Sequence, residues 1–210
     1  MFMAPRRTRA RTALRCAASA VFTCVAMFAA TLSAVGGSAA ASPFDPPVPP
    51  LPAVTVTPSD WAPKFPIPYD ETRRDVTDAD INAQREMCQW FTSTYDELMG
   101  QVEGFGFNLL AANNDWTIGQ IQAQADAVVV NVKDTVAWLA PRALALTQTQ
   151  DFAGDVYFPL YQGEAFYRLW QHLSNVGVGI EARNTAWIYG PSVQRTKHWG
   201  SKINRSHVCE

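Results

Sequence analysis

One long stretch of the chain, residues 115–141, alternates apolar and polar positions with the period of a helix. Its apolar residues recur at gaps of three and four: Ile118, Ile121, Ala125, Val128, Val132, Val136 and Leu139. This spacing places them on one face of an α-helix. Asp115 or Thr117 can cap the first turn, and Pro141 is expected to end the helix, because the residue before a proline avoids the helical region. We predict a helix about 33 Å long.

The opposite face of this helix is polar and is expected to lie in water. It carries Gln120, Gln122, Gln124, Asp126, Asn131, Lys133 and Asp134. The apolar face must therefore be buried by the rest of the chain.

Two other segments repeat the helical pattern. Thr77 or Asp78 can cap a first helix, which residues 104–106 (Gly-Phe-Gly) are expected to interrupt. Its apolar face carries Ile81, Cys88, Phe91, Tyr95, Leu98 and Val102. A second helix is expected at residues 164–175, and its pattern can continue through Val176, Ile180 and Trp187 at a cost of about 1 kcal/mol for each of Gly177 and Gly179. Short helices are expected at 107–112 and 142–150.

We predict an all-α domain over residues 75–191, a small bundle of three or four main helices joined by short loops. The alternative is an α+β fold with a small sheet, in which residues 155–160 and 186–189 form strands. Residues 192–210 contain few apolar side chains, so we expect an irregular basic tail.

The first 41 residues have the composition of a secretory signal peptide. Five arginines and no acid lie between Met1 and Arg15, and residues 16–35 form an uncharged, largely apolar run. Ala39-Ala40-Ala41 supplies the small side chains that signal peptidase requires. We predict cleavage after Ala41. An uncleaved membrane anchor is the alternative, because the run is about 20 residues long.

Cleavage would leave an acidic mature chain. Removing five arginines and no acid takes the formal charge from −2 to −7. Such a surface argues against nucleic acid as a partner, because nucleic-acid binding depends on cationic contacts with phosphate. We expect a bacterial protein that is secreted or associated with the cell envelope, without a transmembrane helix in its mature form. The layout resembles that of exported proteins in high-GC Gram-positive bacteria.

Residues 42–74 form a proline-rich spacer. Ten of the fourteen prolines lie between Pro43 and Pro68. Proline has no backbone donor and a fixed φ, so we expect an extended polyproline II conformation. Apolar residues such as Val54 and Trp61 predict that the C-terminal half lies on the folded domain as a strap.

The cysteine content agrees with export. Cys16 and Cys24 belong to the signal, which leaves Cys88 and Cys209 in the mature chain. A pair of cysteines in an oxidising compartment is usually joined. We predict a Cys88–Cys209 disulfide that ties the C-terminal tail to the first helix. Two separate buried thiols are the alternative.

The sequence contains no recognisable catalytic or metal-binding motif. Its histidines, His172, His198 and His207, occur in neither an HExxH nor a His-x-His pattern, and no G-x-S-x-G stretch is present. We therefore expect no metal, no cofactor and no catalytic activity. The carboxylate pairs Glu97 with Glu103 and Asp151 with Asp155, and the lone Glu164, are the candidates for an envelope-acting hydrolase.

Two groups of residues are candidates for binding. Trp90, Trp116 and Trp138 do not fall on the apolar faces, so they are candidate ligand-facing aromatics. Arg195, Lys197, Lys202 and Arg205 form a basic cluster that could contact an anionic surface. The alternative for this cluster is that it neutralises the acidic first helix.

We therefore interpret the chain as a secreted or envelope-associated helical interaction protein. Its expected partner is an envelope protein, a lipid or a wall polymer. A hydrolase using paired carboxylates, and a membrane-active protein whose amphipathic helices insert into lipid, are the alternative functions.

Overall fold

The structure, a computed structural model, describes residues 48–63, 76–149 and 156–210. The predicted signal peptide, and the parts of the proline-rich spacer at 42–47 and 64–74, lie outside the described residues. The all-α prediction is confirmed, because the described chain is predominantly helical. None of the helices in these ranges is both long enough and apolar enough to cross a lipid bilayer.

The first two helices, α1 (Asp78–Trp90) and α2 (Asp96–Ala111), are joined by a π-helical turn, Phe91–Tyr95. As predicted, Thr77 caps α1: its side chain accepts a hydrogen bond from the Asp80 amide, and the Asp80 carboxylate accepts one from the Thr77 amide. In the π-turn, Thr92 and Ser93 donate hydrogen bonds to carbonyls of the preceding turn.

The predicted break at residues 104–106 is wrong. Helix α2 continues through these residues. Gly104 lies in open space, whereas Gly106 lies against Ile188. A Cβ atom at Gly106 would come within 2.7 Å of the isoleucine side chain. Gly106 is therefore a point of close packing within the helix.

The longest helix, α3, spans Gly119–Ala145 and contains Pro141 within it, so the predicted stop at this proline is wrong. The segment beyond the proline stays helical because Ala143 and Leu146 are buried in the core. The missing proline donor disturbs the hydrogen-bond ladder of this turn. The Arg142 guanidinium donates to the Trp138 carbonyl in that turn, at 2.7 Å.

Two residue pairs form the sheet of the described chain. Strand β1 (Gln148–Thr149) is antiparallel to β2 (Val156–Tyr157), and the residues between them, 150–155, lie outside the described ranges. The α+β alternative is therefore wrong. Residues 186–189, its second strand, belong to the short helix α5 (Thr185–Tyr189).

Helix α4 (Gly163–Glu181) continues past residue 175 through Val176, two glycines and Ile180, and it ends before Trp187. Gly177 lies against Val132 of α3, and Gly179 lies against Trp187 of α5. Each glycine allows a close helix contact that a Cβ atom would prevent, which offsets the low helix propensity of glycine.

The prediction of an irregular tail is wrong, because residues Pro191–Ser206 form helix α6. Its buried face consists of Val193, Thr196, Gly200 and Ile203. Their gaps of three and four are helical, but only two of the four are strongly apolar. Helix α6 packs mainly on α4, which in turn packs on α3.

Residues 48–63, here called the strap, contain neither helix nor strand and lie on the helical domain. Val48, Leu51, Val54 and Trp61 pack against the core. The contacts with the domain therefore begin at Val48, further towards the N-terminus than the predicted C-terminal strap.

Candidate functional site

The predicted cysteine pair lies at disulfide distance. The Sγ atoms of Cys88 and Cys209 are 2.16 Å apart, and their Cα atoms are 5.1 Å apart. The link joins α1 to the residues that follow α6. Beside it, the Trp61 indole of the strap donates to the Val208 carbonyl at 3.0 Å. The strap and the C-terminal end of the chain are therefore both fixed next to α1.

The three candidate aromatic residues occupy different environments. Trp90 is fully buried, with 0% of its surface exposed, so the expectation that it faces a ligand is wrong. It packs edge-on against Phe91 and Tyr95, a location that the apolar pattern did not reveal. Trp116 is half-buried against the Phe105 ring, with 5.5 Å between ring centroids.

Trp138 is half-buried beside the strap. The Arg142 guanidinium lies 3.5 Å from the centroid of its ring and forms an ion pair with Glu86 at 2.6 Å. A cavity of about 290 Å³ lies between Trp138 and the strap. Its lining also includes Asn131 and Leu51. Trp138 is therefore the candidate aromatic that lines a groove.

The basic cluster lies on α6, and the helix divides it into two parts. Lys197 forms an ion pair with Glu103 of α2, so its charge is neutralised within the domain. At 100° per residue, the other three basic residues lie within an arc of about 80° on the side of α6 opposite its buried face. These residues are Arg195 and Arg205, which are exposed, and Lys202, which is half-buried; exposed His198 lies in the same arc.

This arc and its rim, here called the basic face, also contain a half-buried aromatic residue, Trp199. The Lys202 ammonium lies 4.7 Å from the centroid of the Trp199 ring, and the His198 ring packs edge-on against it. Helix α6 contains no acidic residue. The basic face therefore combines positive charge with an indole ring on an acidic protein.

The positive potential extends to α4. Burial lowers the pKa of His172, and the charges of Arg195 and then Arg168 lower it further. Arg195 thus acts on α4 from α6. Arg168 forms a 3.5 Å ion pair with Glu164, which partly compensates its charge.

A second cleft, of about 380 Å³, lies between the π-turn and α6. Its lining includes Tyr95, Asp96, Glu103 and Lys197. Burial raises the pKa of Tyr95 to about 12, with smaller contributions from Asp96 and Glu103. Its hydroxyl donates to the Thr196 carbonyl at 3.4 Å. The tyrosine therefore stays protonated and attaches the π-turn to α6.

On α2, Glu97 and Glu103 lie about 120° apart around the helix and so do not face each other as a pair. Glu103 is held by Lys197 and Glu164 by Arg168, both at exposed positions, whereas Asp151 and Asp155 lie outside the described residues. Across the described ranges, no three His, Cys, Asp or Glu side chains are grouped closely enough to hold a metal ion.

The chain matches no protein-family model, no curated protein and no solved structure. Function is therefore inferred from the basic face and from the contacts of the strap. The basic residues lie close together in the sequence. They share one side only because residues 191–206 form a helix.

Proposed function

We propose that this chain is an exported, non-catalytic helical binding module that attaches to an anionic phospholipid surface through the basic face of α6. The observation that carries the proposal is the alignment of exposed Arg195 and Arg205 and half-buried Lys202 on one side of a helix without acids. The same helix contains the other basic residue of the cluster, Lys197. Its ion pair with Glu103 compensates its charge, so we do not include it among the charges available for binding.

The charges and the indole ring favour lipid over a purely ionic polymer. A basic residue near an anionic membrane contributes about 1 kcal/mol, so three contribute about 3 kcal/mol, roughly a 150-fold increase in binding. Tryptophan also prefers the interface between headgroups and acyl chains. Trp199 lies at the edge of the basic face, where it can enter this interface while α6 stays folded.

The domain holds α6 firmly in place behind this face. Val193 and Ile203 are buried, and the disulfide fixes the residues that follow the helix to α1. A fixed helix loses little conformational entropy on binding, which favours attachment at the surface over deep insertion. We expect binding without rupture of the bilayer.

The test uses the mature protein and vesicles of phosphatidylcholine with or without 30% phosphatidylglycerol. Co-sedimentation at low salt is expected with the anionic vesicles only, and it should weaken as salt rises. Lys202→Gln and Arg195→Gln are each expected to reduce binding about fivefold. Lys133→Gln changes net charge by the same amount on α3, where the lysine pairs with Glu181, and should leave binding within twofold.

Equal loss in all three variants, or equal binding to neutral vesicles, would contradict the proposal. Binding to a soluble anionic wall polymer but not to anionic vesicles would replace lipid with that polymer. Dye release at the binding concentration would instead support the membrane-active alternative. Turnover of an envelope glycan that Glu103→Gln or Glu164→Gln abolishes would favour the hydrolase.

A further inference from the structure

The strap presents a regular face to the helical domain. Val48, Leu51 and Val54 are half-buried, whereas the residues between them are exposed. A repeat of three residues is the period of the polyproline II helix. Five prolines lie within residues 48–63, which agrees with this conformation.

One side-chain amide of α1 binds the strap main chain at both polar atoms of a single residue. The Thr57 amide donates to Gln89 Oε1 at 2.9 Å, and Gln89 Nε2 donates to the Thr57 carbonyl at 2.8 Å. Such a pair fixes the direction and register of an extended chain. It requires nothing of the Thr57 side chain.

A second amide, from α3, binds the strap main chain at two residues near its other end. Asn131 is buried, and its Oδ1 accepts from the Leu51 amide at 3.3 Å while its Nδ2 donates to the Pro49 carbonyl at 2.9 Å. Gln101 of α2 donates to the same carbonyl at 3.1 Å. The Asn131 amide also donates to Gln101 Oε1 at 2.7 Å, which fixes its orientation.

A floor that combines polar side chains with one indole ring lies beneath Leu51 and Val54. The cavity there is lined on the domain side by Thr94, Asn131, Asp134, Thr135 and Trp138. Domains that bind polyproline II segments dock them in aromatic-lined grooves. Trp138 supplies an aromatic side chain here.

We propose that this surface, here called the strap groove, is a receptor for extended, proline-containing peptides and that residues 48–63 occupy it in cis. The groove hydrogen-bonds to main-chain atoms of Pro49, Leu51 and Thr57. It also contacts every third side chain from Val48 to Val54. A separate peptide with the same spacing satisfies all of these contacts. The site involves α1, α2 and α3 and is independent of the basic face on α6.

The test keeps the whole chain. A protease site is introduced between residues 63 and 76 of the mature protein, so that cleavage leaves the strap held only by its contacts with the groove. The cleaved protein is warmed and recooled with an excess of fluorescent peptide of residues 48–63, and capture is read by anisotropy. Capture is expected after cleavage, and little is expected before it, because a tethered segment competes at millimolar effective concentration.

Modified peptides test the contacts while the protein stays unchanged. N-methylation at Thr57 or at Leu51 removes the donor to Gln89 or Asn131, and each is expected to weaken capture about tenfold. N-methylation at Val56, an exposed residue, is the matched control and should stay within twofold. In the protein, Gln89→Ala should weaken capture by a similar factor, and Gln194→Ala on α6 should not.

Several results would overturn the proposal. One is that the cleaved protein takes up no peptide. Another is that a peptide with the same residues in scrambled order binds equally well. A third is that N-methylation at Thr57 and at Val56 has equal effects. The vesicle experiment for α6 stands in each case, because its variants lie outside the strap groove.

Discussion

Alanine in place of two helical glycines should change stability in opposite directions. Gly200 of α6 is buried against Tyr95: an added Cβ would overlap the Oη and Cζ atoms of the tyrosine and lie 2.9 Å from its Cε1. Gly100 of α2 is exposed, with nothing within 4 Å of an added Cβ. The two substitutions are chemically identical, so only the surroundings distinguish them.

The magnitudes follow from two terms. Alanine is favoured over glycine in a helix by about 1 kcal/mol, which stabilises both variants. At Gly200 the overlap with a buried ring adds a penalty of about 3 kcal/mol, the upper end of the overpacking range. We therefore expect Gly100→Ala to raise the free energy of unfolding by about 1 kcal/mol and Gly200→Ala to lower it by about 2 kcal/mol.

Thermal denaturation followed by circular dichroism measures both changes. For a chain of this size, 1 kcal/mol corresponds to about 2–4 °C in Tm. Gly100→Ala should raise Tm by that amount, and Gly200→Ala should lower it by about 4–8 °C. If Gly200→Ala raised Tm as Gly100→Ala does, α6 would not be seated on Tyr95, and the reasoning about the C-terminal helix would be refuted.

Three further substitutions test other contacts of the fold. The double substitution Cys88→Ser and Cys209→Ser removes a link between residues 121 positions apart. It should lower the free energy of unfolding, measured by urea titration, by about 4 kcal/mol. No change under non-reducing conditions would contradict the link. The pKa of His172 in the folded protein lies below its usual 6.5, so the unfolded chain binds the proton more readily and acid destabilises the fold. His172→Gln should therefore reduce the loss of Tm as the pH falls below 6.5. Curves of Tm against pH that run parallel for the two proteins would contradict this. Arg142→Met removes a half-buried ion pair and the cation above an indole ring, and should cost about 2 kcal/mol, whereas Lys133→Met, at an exposed pair, should cost under about 0.5 kcal/mol.

The sequence predicted those helices whose buried faces are made of large apolar side chains. Ile121, Val128, Val132 and Leu139 of α3 are buried as their spacing indicated, and Thr77 caps α1. For such faces, the hydrophobic period alone contains the necessary information.

Helix α6 was missed because its burial depends on small side chains. Thr196 and Gly200 supply half of its buried face, and Gly200 is chosen for its fit to Tyr95 of another helix. A local pattern does not contain that partner. The predicted helix end at Pro141 is wrong for a similar reason. Burial of the residues after the proline outweighs its local preference to end a helix.

The sequence indicates only part of the two surfaces that we propose to bind ligands. The sequence identifies the basic residues, but they share one side only because they lie on a helix. The charge of Lys197 is compensated by Glu103, which lies 94 positions earlier in the sequence. Asn131 was expected to lie in water, yet it is buried beneath the strap. Its burial depends on a segment about 80 residues away in the sequence, so helical periodicity gave no signal of it.

The most direct measurement of the central claim is the tryptophan emission of the mature protein on anionic vesicles. If the basic face docks, the emission should shift to shorter wavelength, and brominated lipid should quench it, because the Trp199 ring enters the interface. Trp199→Phe should lose both effects, whereas Trp116→Phe, a half-buried tryptophan elsewhere in the fold, should keep them. A shift and quenching that persist unchanged in Trp199→Phe would show that another surface meets the membrane.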